Sequence, residues 1–319
     1  MRIPVFRWAL CWLGVCGAIL SSLAVDGGPT DAPPAQPVVV TGGAAVARDV
    51  TVPTTSPVQT ADPTGCRVVE YTPPAASSPQ VGELCVPENA TGIAIILVHG
   101  GGGTGGSYAD ADQWAVEYQT AGITTFGIDY QLVVPDVDEG VWPLPEQHTK
   151  AAIQYLRLNA DTLGIDSIQM HGWSAGARLA AIALTTADDP AFSGPDRWEG
   201  VSDALDGAVL YYGYYDGFVY EPDEYWGGAD VPLLARPEQL AADANAPALL
   251  VHGDVDFLVP ASESVGFAAA LRVAGRDQTL WIMGGEPDHG FDGYGTDALT
   301  PVGEGLVEPT LDWVRAAAA

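Results

Sequence analysis

From Ile93 onward, short apolar runs alternate with longer segments of helical periodicity. The run 93–98 is apolar throughout, as expected of a strand buried on both faces of a parallel sheet. Further strands are predicted at 123–128, 168–171, 208–212, 248–252 and 279–283, and helices at 111–121, 145–160, 175–187, 262–274 and 311–318. Strands that alternate with helices predict an α/β protein with a mostly parallel, doubly wound sheet and helices on both faces. In such sheets ligands bind beyond the carboxyl ends of the strands, so the residue types placed just after each strand carry the functional information.

The pattern before Ile93 differs. Arg2 and Arg7 precede an apolar run from Trp8 to Leu20, too short to span a bilayer comfortably, and Ser22-Leu23-Ala24 supplies small residues at a cleavage position. A signal peptide over 1–24 is expected, with the mature chain starting near Val25 and exported to an extracellular or periplasmic space. The competing readings are an uncleaved anchor or lipid attachment at Cys16. Residues 25–62 are rich in Pro, Thr and Ala without periodicity and predict a disordered spacer. One catalytic-size domain follows over 63–319.

Of the four cysteines, Cys11 and Cys16 leave with the leader, so Cys66 and Cys85 are expected to form a disulfide that closes an N-terminal loop. The chain has 12 basic and 41 acidic residues, a net charge of −29, which argues against nucleic acid and anionic membrane as partners. Asn89-Ala90-Thr91 fits a glycosylation sequon.

Candidate chemistry concentrates after the strands. Gly172-Trp173-Ser174-Ala175-Gly176 lies between a predicted strand and an Ala-rich helix, the context in which G-x-S-x-G marks a nucleophile on a strained turn. A serine hydroxyl needs a base. Among five histidines, His289 follows the last strand in a Gly- and Pro-rich loop and is the expected base; His99, His148, His171 and His252 lie on or at the ends of elements. The orienting carboxylate should follow the preceding strand, where His252-Gly253-Asp254-Val255-Asp256 offers two, with Asp256 preferred to the turn-forming Asp254 and Asp288 a third choice. His99-Gly100-Gly101-Gly102-Gly103 follows the first buried strand, and the amides of Gly101, Gly102 and Ala175 are the expected oxyanion donors. No G-K-[ST] follows this cluster, and no metal-ligand spacing occurs, so neither a nucleotide, another cofactor nor a metal is expected. The aromatic stretch from Tyr211 to Phe218 is expected to divide between site wall and core, and Trp173 to pack beneath the turn.

Together these residues resemble the HGGG-type esterase/lipase branch of the α/β-hydrolase superfamily, close to hormone-sensitive-lipase-like and carbohydrate-esterase-like members. The resemblance rests on Val98-His99-Gly100-Gly101-Gly102 with Gly106-Ser107, Ile128-Asp129-Tyr130-Gln131-Leu132, Trp142-Pro143, the Ser174 motif, Leu210-Tyr211-Tyr212-Gly213, the Asp256 segment with Val259-Pro260, and His289-Gly290-Phe291. It implies a Ser174–Asp256–His289 triad acting on a small-molecule or carbohydrate ester. Two positions depart from it: Trp173 stands where hormone-sensitive-lipase relatives usually carry aspartate, and Ala177 where many members carry glycine. An amidase or peptidase on the same scaffold, and a non-catalytic hydrolase-like binding protein, are the alternative functions; the sequence leaves the oligomeric state open.

Overall fold

The strands predicted from Ile93 on are six of the eight in a single sheet, in a computed structural model that describes residues 65–76, 78–134, 136, 140–216, 223–227, 232–285, 288–293 and 305–319. The strands are β1 (Gly65–Glu70), β2 (Val81–Val86), β3 (Ile93–Val98), β4 (Thr124–Ile128), β5 (Ser167–Trp173), β6 (Gly207–Tyr211), β7 (Ala248–Gly253) and β8 (Gln278–Met283). Their order across the sheet is β1-β2-β4-β3-β5-β6-β7-β8. The pairs β1–β2 and β2–β4 are antiparallel and every later pair is parallel. The helices are α1 (Asp112–Thr120), α2 (Leu144–Leu158), α3 (Ala160–Leu163), α4 (Ala175–Thr185), α5 (Asp223–Trp226), α6 (Ser262–Val273) and α7 (Val307–Ala317). This is the α/β-hydrolase architecture.

Strand alternation builds two cores. Ala94, Ile96 and Val98 of β3 face one side of the sheet, where they join α2, α4 and α6 through Ile153, Leu179 and Phe267. Ile93, Ile95 and Leu97 face the other, where Trp114 and Tyr118 of α1 and Leu311 and Val314 of α7 cover them. Because both faces are covered, the central strands read as continuous apolar runs.

Two expectations need correction. The cysteine segment is not a loop but a hairpin: β1 and β2 pair with Cys66 directly opposite Cys85, and the two are disulfide-bonded. β1 is an edge strand whose residues are mostly exposed, so its apolar signal is weak, whereas β2 buries Leu84, Cys85 and Val86 against β4. The last helix also begins earlier than 311, at Val307. The leader and spacer expected over 1–62 lie outside the described residues. Among the described residues no helix is long and apolar enough to cross a membrane.

Lys150, the one lysine in the sequence, is fully buried on α2. Its ammonium donates to the Thr186 carbonyl at 2.6 Å and pairs with Asp203 at 3.3 Å, and Arg197 contacts the same carboxylate. Burial pushes the Lys150 pKa down to about 8, while Asp203 pulls it back up. Removing the shared anion leaves two buried cations facing each other. Asp203→Ala should therefore destabilise the fold by about 3–5 kcal/mol, read as a lower midpoint in urea unfolding, whereas an exposed control, Asp312→Ala, should move it by less than about 0.5 kcal/mol.

Candidate active site

The turn from β5 into α4 places Ser174 in the left-handed region at φ 52° and ψ −117°. A non-glycine residue there is strained, and the surroundings hold it. The Ser174 amide donates to the Tyr211 carbonyl at 3.0 Å, and its own carbonyl accepts from Arg178 at 3.2 Å. A Cβ on Gly176 would sit 2.0 Å from the Val98 carbonyl oxygen. Only a glycine lets the start of α4 lie against the end of β3, which brings the serine turn beside the glycine loop. Ala177, a departure from the family pattern, is accommodated from across the fold, since a Cβ on Gly213 would stand 2.7 Å from the Ala177 methyl.

That glycine loop is shaped by left-handed backbone at Gly101, Gly102 and Gly103. At Gly101 a Cβ would meet the Gly105 carbonyl at 2.1 Å, so the position excludes side chains on two grounds. His99 pins the loop from beneath. Its ring lies flat on Tyr130 at 4.2 Å, its Nδ1–H donates to the Gly100 carbonyl at 2.7 Å, and the Tyr130 hydroxyl donates to the His99 carbonyl at 2.9 Å. Burial pushes the His99 pKa down, with the Gly100 carbonyl and the charges of Asp129 and Asp110 opposing it. Asp129 accepts from the Tyr108 amide at 2.7 Å and so closes the far end of the same loop. Neither Asp129 nor Tyr130 was given a chemical role in the sequence; their place directly after β4 and within the resembled motif Ile128-Asp129-Tyr130 was the only hint.

The expected acid and base do meet. The Nδ1–H of His289 donates to Asp256 Oδ2 at 2.7 Å, and the other oxygen of Asp256 accepts from the amides of Leu258 and Val259 at 2.9 and 2.8 Å. With its proton on Nδ1, His289 keeps the Nε2 lone pair free. Asp254 bonds through its backbone to Met283 instead, and Asp288 takes the His289 amide, so neither alternative carboxylate is the partner of the ring. No hydrogen bond joins Ser174 to His289 among the described residues; the Ser174 amide bonds to Tyr211, and the ring of the next residue, Tyr212, packs 4.7 Å from the imidazole.

A second histidine, overlooked in the sequence as a strand end, also touches the acid. His252 Nε2 lies 2.9 Å from the Val259 carbonyl and 3.3 Å from Asp256 Oδ2, while its Nδ1 faces the Ser264 hydroxyl at 2.7 Å. Donation from Nε2 and acceptance at Nδ1 satisfies all three partners. Burial drives the Asp256 carboxyl up, but His252, His289 and the Val259 amide together hold it well below the ordinary carboxylate range.

His171 and His148 have other duties. His171 is enclosed by Trp114, Trp173 and Tyr211 with Nδ1 on the Tyr118 hydroxyl, and burial keeps it neutral. His148 accepts the Gln131 amide, and burial lowers its pKa to about 4. The aromatic stretch divides in half. Tyr211 and Tyr215 are core residues on opposite sides of the sheet; Tyr212 packs on His289 and Tyr214 on Ala175 with Val259. Trp173 packs beneath the turn, stacked 3.9 Å from His171. Arg178, one turn along α4 from Ser174, pairs with buried Glu146 at 3.4 Å and lies over Trp226 and Tyr225, while Tyr225 also donates to Glu146.

The fold is that of the α/β hydrolases, and comparison with known proteins shows the same architecture. Residues 83–213 match the BD-FAE family model. Esterase LipC of Mycobacterium tuberculosis is 30% identical over 227 residues, covering 62% of this chain and 53% of LipC, and esterase LipQ of the same organism is 31% identical over 169 residues, covering 47% and 39%. The chain thus spans about half the length of the curated relatives it matches, or less. A truncated carbohydrate esterase from gut microbiota superposes with a TM-score of 0.63 at 21% identity, covering 81% of this chain and 98% of that one. The esterase Est2 of Thermogutta terrifontis gives 0.63 at 22%, covering 80% and 91%. The chain is thus similar to the BD-FAE family and to curated esterases over part of its length, and it shares the α/β-hydrolase fold.

The depressed Asp256 carboxyl has a consequence for stability. Its folded pKa lies below the unfolded value of about 3.9, so its contribution is complete above about pH 5 and is lost as pH falls through the folded value. Asp256→Asn removes that contribution. The gap in unfolding free energy between wild type and Asp256→Asn should narrow from about pH 6 to about pH 3, measured by urea denaturation; a gap that stays constant would mean that the carboxylate is not held in its charged form.

Proposed function

We propose that this chain hydrolyses carboxylic esters of a small molecule or an acylated carbohydrate through a Ser174–His289–Asp256 triad. The observation that carries the reading is the Asp256–His289 hydrogen bond at the same sheet edge as the left-handed turn of Ser174. His289 Nε2 removes the Ser174 hydroxyl proton as the oxygen attacks the ester carbonyl. The amides of Gly101, Gly102 and Ala175 stabilise the oxyanion; Ala175 opens α4, where amides have no carbonyl partner within the helix. The imidazolium then protonates the departing alcohol, and a water, deprotonated by the same nitrogen, releases the acid and restores Ser174. Asp256 holds the ring in the required tautomer and stabilises its charged form.

The names of the relatives support ester chemistry: LipC and LipQ are esterases, and an esterase of Thermogutta terrifontis is phosphoramylated by tabun, an organophosphate. An expected leader over 1–24 and the Cys66–Cys85 disulfide support export to an oxidising compartment. A net charge of −29 favours neutral or cationic substrates over polyanions.

Fluorophosphonate labelling, followed by turnover of p-nitrophenyl, acetyl-sugar and feruloyl esters, tests the reading. Wild type should label and turn over at least one class; Ser174→Ala should not label and should lose at least about a thousandfold in kcat. Failure of the folded protein to label favours a binding protein, and a preference for matched amides favours an amidase. Among the acids, Asp256→Asn should lower kcat by about 10³- to 10⁴-fold, whereas Asp254→Asn should stay within about twofold; the reverse order would reassign the triad.

A further inference from the structure

One carboxylate close to these residues has no part in the reaction above. Asp292 is fully buried and lies on the loop that carries His289, three residues further on. Its Oδ2 accepts the indole N–H of Trp114 and that of Trp173, both at 2.8 Å, and its Oδ1 accepts the Tyr212 hydroxyl at 2.8 Å. The next residue is tied down as well, since the Gln113 side-chain amide donates to the Gly293 carbonyl. The donors come from α1, from the residue just before Ser174, and from the end of β6. An indole N–H can only donate, and both indoles are cut off from water, so each requires an acceptor that the core otherwise lacks.

We propose that Asp292 is a positioning residue that sets the His289 loop against the serine turn, through Trp173 on one side and Tyr212 on the other. The inference rests on the reading of Ser174 and His289 as nucleophile and base. The connections close a circuit: Asp292 holds Trp173, which adjoins Ser174; the Ser174 amide bonds to Tyr211; and Tyr212 both donates to Asp292 and packs on the His289 ring. Phe291 adds a ring contact to Tyr212 at 5.4 Å. Gly285 and Gly290, on either side of His289, both have left-handed backbone. Without Asp292 the His289 loop loses its link to the nucleophile turn, and the His289–Asp256 hydrogen bond loses the support that holds the ring in line with it. Trp173, where relatives of the resembled family carry aspartate, fits this arrangement: the carboxylate here comes from the histidine loop, and the indole reaches it.

Asparagine can preserve the clamp, with its oxygen toward the two indoles and its NH₂ donating to the Tyr212 oxygen; alanine leaves three buried donors without an acceptor. The test compares Asp292→Ala, Asp292→Asn and Tyr212→Phe, each checked for folding by circular dichroism. Readouts are kcat and KM on p-nitrophenyl acetate and the low-field proton resonance of the His289–Asp256 hydrogen bond. Asp292→Ala should lower kcat by at least about thirtyfold with KM within about threefold, and broaden or abolish the resonance. Asp292→Asn should restore kcat to within about fivefold of wild type and keep the resonance, and Tyr212→Phe should lose about five- to tenfold in kcat. A folded Asp292→Ala protein with wild-type kcat and an intact resonance overturns the proposal. Should that variant not fold, wild-type kcat in both Tyr212→Phe and Trp173→Phe overturns it equally. An inactive wild type, or an active His289→Ala, defeats the ester-hydrolysis reading instead, and the resonance still decides whether Asp292 orients the ring.

Discussion

The close approach of α4 to the end of β3 is the contact from which the site is built. It exists because Gly176 has no side chain to separate the helix from the Val98 and His99 carbonyls. Once the helix lies there, the chain between β5 and α4 has room only for a sharp turn, and Ser174 takes up the left-handed conformation that such a turn demands. The hydrogen bond from its amide to Tyr211 spreads that strain into the parallel sheet, which is covered by a core on each face and yields little. The same approach sets the first amide of α4 beside the glycine loop, so the proposed nucleophile and the proposed oxyanion donors share a single geometric cause.

Buried carboxylates in this fold are arranged as acceptors with several donors each. Asp256 gathers two histidines and two backbone amides; Asp292 gathers two indoles and a phenol; Asp203 gathers Lys150, Arg197 and the Asp188 amide. A buried carboxylate in such a place is tolerable only while its partners remain, because the desolvation cost is offset by directed hydrogen bonds. Each cluster therefore links elements distant in sequence: the loop after β7 to the loop after β8, the His289 loop to α1 and β5, and α2 to the segment before β6. These links fix relative positions more sharply than apolar contact, which is non-directional.

Much of the arrangement was legible beforehand. The buried strands announced themselves as apolar runs, and Ser174, Asp256 and His289 could be picked as candidates because the doubly wound topology points to the positions that follow strands; of these, Asp256 and His289 are hydrogen-bonded. The β1–β2 hairpin was missed because an edge strand buries little, and Val68 of β1 stays exposed beside charged neighbours. His252 was missed because its second role, beside Asp256, depends on how the β7–α6 loop folds back over the strand end.

The sequence alone determined the main order of strands and helices from Ile93 on, the serine turn and the residue types available after each of those strands, since all of these depend on periodicity and on local backbone requirements that neighbours in the chain impose. Which carboxylate meets which histidine, which of four adjacent tyrosines faces the site, and that Trp114, Trp173 and Tyr212 converge on Asp292 were decided only by the tertiary structure. Those pairings join groups from 33 to 178 residues apart, and directional hydrogen bonds over such separations are fixed by packing, which no local pattern encodes.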